Sequence, residues 1–119
     1  MPPPDDRSAL RDIQFACELV ASFIRGARRE DFVQNQMAFS ATERQLAIVG
    51  EAVKRLSADL RMSAPQIDWR GWSGLRDVLV HAYDDVDREQ IWIVASVEMP
   101  TFAIAITELL AALENHGIN

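Results

Sequence analysis

Leu10, Ile13, Cys17, Val20 and Ile24 recur at intervals of three or four residues. That spacing lines one stripe of an α-helix and matches no single face of a strand. It predicts a first helix from about Asp6 to Ile24, stopped at Gly26. A short helix is expected from Glu30 to about Met37. Ser40 with Glu43 three residues on has the form of a capping box, in which hydroxyl and carboxylate each satisfy an orphan N–H, so the next helix is expected to start there. Its stripe is Leu46, Val49, Val53, Leu56 and Leu60. Gly50 interrupts it at a cost of about 1 kcal/mol relative to Ala, which a close helix crossing at that point would explain.

Ser63 to Asp68 reads as a connection. A fourth helix is expected from Trp69 to about Ala82, with Leu75, Val78, Leu79 and Ala82 on its apolar face. Asp84-Asp85-Val86-Asp87 breaks the pattern, and Asp87 with Gln90 resembles a second capping box that opens the last helix. The later stripe of that helix is Met99, Phe102, Ile106, Leu109 and Leu113; Pro100 lacks a backbone donor and is expected to kink it. These elements predict an all-α, up-and-down bundle of four to five helices. Its 119 residues suit a single domain, with residues 1–5 as a flexible tail.

Composition sharpens the class. Hydrophobic residues are 49% and charged residues 25%, the balance of a soluble globular chain. The single cysteine, Cys17, leaves no internal disulfide or Cys-based zinc site and is expected to be a buried hydrophobe. The start, Met-Pro-Pro-Pro-Asp-Asp, lacks the basic and apolar regions of a signal peptide. No charge-free apolar stretch approaches the ~20 residues of a membrane span, so a cytoplasmic protein without a membrane partner is expected. The net charge of −6 argues against non-specific coating of nucleic acid. Local positive clusters remain at Arg25, Arg28 and Arg29, at Lys54 and Arg55, and around Arg70 and Arg76, where solvated helix faces are the plain alternative.

One segment carries chemistry: Arg76-Asp77-Val78-Leu79-Val80-His81-Ala82-Tyr83. An Arg and a His five apart mean nothing by themselves. Their surroundings do: Arg44-Gln45-Leu46 and Val49 to Lys54 before, Pro65 to Trp69 at the connection, and Val86-Asp87 through Ile91-Trp92 after. Taken together the chain resembles the HEPN superfamily, specifically its HepT-like branch, whose Arg-x4-His-x-Tyr motif is matched by Arg76, His81 and Tyr83. The likeness covers nearly the whole chain and is weakest before Asp31. Many relatives have Asn directly after the motif Arg; here Asp77 stands in that place.

Helical geometry supplies an independent reading. At about 100° per residue, positions 76 and 81 point about 140° apart and cannot form a tight pair on one face. They can line two sides of a groove, or combine with a second copy across a two-fold axis. Asp77 and His81 are four apart and share a face, where a carboxylate would favour the imidazolium. His suits proton transfer near neutral pH, and Arg offers a permanent charge and a bidentate fork for phosphate.

The resemblance implies more. Family members are two-fold dimers that cut RNA without metal or other cofactor through the motif Arg and His. The branch comprises toxins paired with a minimal nucleotidyltransferase antitoxin that attaches AMP to the motif Tyr, which here is Tyr83. The implied protein is therefore a metal-independent endoribonuclease toxin: a homodimer with Arg76 and His81 catalytic, Asp77 supporting, and Tyr83 the adenylylation site. The alternative is a non-catalytic helical module that presents a substrate to a nucleotidyltransferase. Asp84, Asp85 and Asp87 could suggest a metal site, but capping and a solvated loop explain them. Trp69, Trp72 and Trp92 could stack on bases or pack in the core or an interface. His116, in the last turn, suits the helix dipole and is assigned no chemistry.

Overall fold

The computed structural model describes the backbone of residues 5–81 and 87–117, with side chains throughout except at 76–78, 80, 81, 116 and 117. Asp5 opens helix α1 (Asp6–Ile24) by accepting the N–H of Ser8 at 3.1 Å, and the helix ends where the stripe of Leu10 to Ile24 does. Gly26 follows in the left-handed region at φ 74°, a conformation that favours glycine.

Helix α2 (Arg29–Gln34) is shorter than the stretch from Glu30 to Met37 that the pattern predicts, because Asn35 stops it and at once caps α3 (Gln36–Arg55). The Asn35 side chain accepts the N–H of Ala38 at 3.0 Å. The expected start at Ser40 is therefore overturned. Ser40 lies inside α3, its hydroxyl accepting from the Gln36 amide at 2.8 Å. Glu43 does not cap; burial raises its pKa, and Arg88 nearby works against that rise. The earlier start puts Phe39 in the core, edge-on to Phe32 at 6.3 Å, with the Arg88 guanidinium 4.6 Å above its ring.

The stripe from Leu46 to Leu60 is buried as expected but spans two helices. Leu56 ends α3, and Ser57 caps α4 (Ala58–Ser63) by accepting the N–H of Leu60 at 3.1 Å. The Asp6 carboxylate accepts both the N–H and the hydroxyl of Ser57, at 2.8 and 2.7 Å. That clamp ties the break to the start of α1. Helix α5 (Trp69–His81) follows a short connection. Asp87 then caps α6 (Arg88–Ile93) through the N–H of Glu89 at 2.9 Å. A π-helical turn (Val94–Glu98) joins α6 to α7 (Met99–Gly117) without a break. Pro100, where a kink is expected, is the second residue of α7 and directly follows that turn, in which the N–H of Met99 bonds the carbonyl of Val94 five residues back. The wide turn accommodates Pro100, whose missing donor and ring disturb the carbonyls of the preceding turn.

Helices α1, α3, α5 and the α6–α7 run form an up-and-down four-helix bundle, with α2 and α4 as short links; no strand occurs among the described residues. Contacts at the helix ends fix the directions. Arg11 pairs with Glu114 at 2.8 Å and Gln14 donates to Thr107 at 3.1 Å, so α7 runs antiparallel to α1. Leu10, Ile13, Leu46, Val49, Val53 and Ile106 are fully buried between the helices, each contributing about 1.5–3 kcal/mol. Gly50 is buried in α3, which packs on both α1 and α5. The run Arg88–Asn115 is long and apolar enough to cross a membrane by length and composition, and 33% of its most apolar window is buried. Val97 and Ile104 stand exposed on its outer side.

The start of α3 is directly testable. Asn35→Ala should lower the unfolding free energy by about 1 kcal/mol through loss of the cap, whereas Ser40→Ala should change it by no more than a few tenths. Urea denaturation of both variants measures this, and the reverse order would restore a helix start at Ser40.

Candidate active site

Helix α5 is held from its first turn. The Asp68 carboxylate accepts the N–H of Gly71 at 3.0 Å, and its carbonyl accepts that of Trp72 at 3.1 Å. A Cβ on Gly71 would run into the Asp68 carboxylate, so this capping geometry requires glycine at the third helical position. Trp69 is buried, and its indole N–H is shared by the carbonyls of Arg61 and Ala64, each at 3.1 Å. Trp72 stacks on Phe102 at 4.2 Å with the rings 12° from parallel, and Trp69 meets the same ring edge-on at 6.1 Å. Trp92 tilts against Phe32 at 5.4 Å. All three tryptophans therefore pack within the protein, as core or interface packing requires.

The motif lies at the other end of this helix. Positions 76, 77 and 81 are in its helical backbone, which runs unbroken to His81. Arg76 and His81 are thus carried by one helix, about 140° apart around its axis, while positions 77 and 81 share a face. Tyr83, Asp84 and Asp85 lie outside the described residues, as does Ala82, the expected helix end. Asp87 is a helix cap. Among the described residues no three His, Cys, Asp or Glu side chains come together. Cys17 is buried in α1, where burial first and the Glu18 charge second push its thiol up to about 12, so it is no nucleophile at neutral pH.

Two grooves flank α5. The one facing α7 has a volume of about 580 Å³, an apolar floor of Ile67, Trp72, Leu75, Val94 and Phe102, and Asp68 and Glu98 at its rim. The one facing α4 has a volume of about 500 Å³ and is lined by Arg61, Met62, Pro65, Trp69, Arg70 and Ser73 with Ala58. Sequence reading grouped Arg70 with Arg76 but passed over Arg61. Only the packing of α4 on α5 brings Arg61 and Arg70 together, and no spacing in the chain announces it.

The remaining basic clusters are largely neutralised. Arg28 pairs with Asp31, Arg29 with Glu89 and Glu30, and Arg55 with Asp12. These exposed pairs each contribute little to stability, but they remove free positive charge from α2 and the end of α3.

The two described glycines of α5 should behave differently. Gly71→Ala displaces the Asp68 cap, whose loss of about 1 kcal/mol offsets the gain that Ala brings to a helix, so it should not stabilise the protein. Gly74 has open space around its absent Cβ, so Gly74→Ala should stabilise by about 0.5–1 kcal/mol. Chemical denaturation reads both effects, and a stabilising Gly71→Ala would refute the capping geometry.

Comparison with known proteins identifies the family. A family model described as "Ribonuclease HepT-like" matches residues 13–109. A candidate RNase of Methanocaldococcus jannaschii is 30% identical across 100% of this chain and 98% of its own length. A candidate RNase of Caldanaerobacter subterraneus is 34% identical over 87% of this chain and 93% of its own. A protein of Thermococcus cleftensis, named as a probable ribonuclease HepT, is 37% identical over 77% of this chain and 84% of its own. No solved structure gives a significant match. The matched span takes in the whole of α5 together with Tyr83, and it meets the relatives' full-length similarity from both sides: this chain belongs to the HepT-like ribonuclease family.

Proposed function

We propose that this HepT-like ribonuclease is the cytoplasmic toxin of a toxin–antitoxin pair, a metal-independent endoribonuclease whose site is completed by a second copy of the chain. The observation that carries the reading is the unbroken α5, which supports Arg76 and His81 at positions about 140° apart on one rigid helix. A single α-helix cannot aim both at one phosphate from the same face. Two copies related by a two-fold axis bring two Arg and two His positions to a shared cleft. The apolar groove along α5 and the exposed Val97 and Ile104 on α6–α7 support self-association, because such surface gains from being covered.

The chemistry follows from the side chains. Cleavage of an RNA strand takes a proton from a 2′-hydroxyl, whose oxygen attacks the adjacent phosphorus, and returns a proton to the departing 5′-oxygen. His81 moves these protons. Arg76 binds the phosphate oxygens and stabilises the charge that builds up on them. Asp77, on the same face as His81, supports the imidazolium. A minimal nucleotidyltransferase antitoxin transfers AMP from ATP to the hydroxyl oxygen of Tyr83, two residues beyond His81, with release of pyrophosphate and the hydroxyl proton, and the added phosphate repels RNA and blocks the cleft.

A second reading, a non-catalytic module that presents a substrate to a nucleotidyltransferase, draws on Asp77, which follows Arg76 where many relatives carry Asn. Activity separates the two. In excess EDTA, with intact mass confirming unmodified Tyr83, wild type should cut single-stranded RNA. His81→Ala should be slower by about two to four orders of magnitude at unchanged thermal stability, and Tyr83→Phe should cut while resisting adenylylation. Equal rates for wild type and His81→Ala would end the assignment of His81, and an inactive wild type would favour the second reading.

A further inference from the structure

We infer that the groove between α4 and α5 is a backbone subsite for single-stranded RNA, with Arg61 and Arg70 holding phosphates upstream of the motif. The inference rests on the ribonuclease reading and extends it to residues outside the Arg-x4-His motif.

Charge is the first argument. The chain carries a net charge of −6, and its arginines elsewhere are mostly engaged: Arg11, Arg28, Arg29 and Arg55 pair with carboxylates, and Arg88 bonds Val33 and Gln36. Neither Arg61 nor Arg70 forms an ion pair among the described residues, and no carboxylate lines their groove. Among the described residues Arg25 and Arg44 also form no ion pair, but they line neither groove. Two guanidinium groups at one concave site suit successive phosphate oxygens, which they can grip as planar forks.

Rigidity is the second. The Trp69 indole N–H bonds the carbonyls of Arg61 and Ala64, locking the end of α4 onto the start of α5. The Arg61 Nε donates to the carbonyl of Ser57 at 3.5 Å, so the terminal amino groups remain for a ligand. Ser73 donates back to the carbonyl of Arg70 at 3.1 Å. Met62, 74% exposed at the edge, offers an apolar surface on which a base can rest.

Register is the third and the most specific. The groove touches α5 through positions 69, 70 and 73. At 100° per residue, the centre line of that arc, continued toward the C-terminus, passes between positions 76 and 81, close to midway. A strand leaving the groove along α5 therefore runs between the two motif positions. Arg70 and His81 are eleven residues apart, about 16 Å of helix. Stacked nucleotides advance ~3.4 Å each along the axis, so the separation is at most about five nucleotides.

The test separates this subsite from the chemistry. Binding of a 2′-O-methyl oligonucleotide of about ten residues, which cannot be cut because its 2′-oxygens carry no proton, is measured by fluorescence anisotropy at several salt concentrations. Wild type is compared with Arg61→Gln/Arg70→Gln and with the charge-matched control Arg25→Gln/Arg44→Gln, thermal melts confirming that all three fold. The groove variant should bind at least about tenfold more weakly, with the salt slope reduced by about 1.4, the value for two phosphate contacts on a single strand. The control should stay near wild type, and cleavage of a dinucleotide too short to reach the groove should not change. Equal weakening of both variants, wild-type binding by the groove variant, or no binding by wild type would each overturn the subsite. Groove-dependent binding by a wild type that cuts nothing would uphold the subsite and sink the ribonuclease reading instead.

Discussion

The start of α5 is the constraint on which the rest of the site depends. Asp68 caps the first turn, Gly71 leaves room for the cap, Trp69 ties the turn to the end of α4, and Trp72 lies flat on Phe102 of α7. Three contacts of different kinds, with the clearance at Gly71, thus set the position, axis and rotation of the helix. Because an α-helix is a rigid rotor at 100° per residue, fixing that rotation at residues 69–72 fixes where positions 76 and 81 sit relative to α4 and α7. The aromatic pair on Phe102 adds about 0.5–1.5 kcal/mol beyond its buried area, but its larger consequence is directional.

From that fixed rotation comes a division of labour between the two sides of α5. On the α7 side the surface is apolar, with acids only at the rim, and suits contact with protein. On the α4 side it is basic, and suits a phosphate backbone. An acidic chain can thus handle an acidic polymer, because its carboxylates neutralise arginines elsewhere and leave one groove uncompensated. The π-helical turn at Val94–Glu98 belongs to the same design. It widens the last helix beside the apolar groove, at the point where Pro100 would otherwise clash with the preceding turn.

Much of the fold was legible in the chain. The stripe of Leu10, Ile13, Cys17, Val20 and Ile24 marked α1 to its observed ends, because one buried face at helical period leaves few alternatives. The α3 boundaries were less so. Ser40 and Glu43 have the form of a capping box, yet Asn35 opens the helix because the same residue also stops α2 and brings Phe39 and Arg88 together. Likewise Leu56 and Leu60 fit one stripe, and only the long-range clamp of Asp6 on Ser57 shows that the stripe is split. Of the candidate site, Arg76, His81 and Tyr83 stand out in the sequence only through their resemblance to a family pattern, and the structure adds that positions 76 and 81 share one helix. Arg61 does not stand out, since its meeting with Arg70 depends on how α4 packs.

The proposed sharing of one site between two copies is tested most directly by mixing inactive variants. Arg76→Ala and His81→Ala are each prepared, unfolded together, refolded and assayed on single-stranded RNA in EDTA. If the site joins the Arg of one copy to the His of the other, mixed dimers restore cleavage well above that of either variant alone. A mixture as inactive as its parents, with exchange verified by mass spectrometry of the mixed dimer, would contradict a shared site.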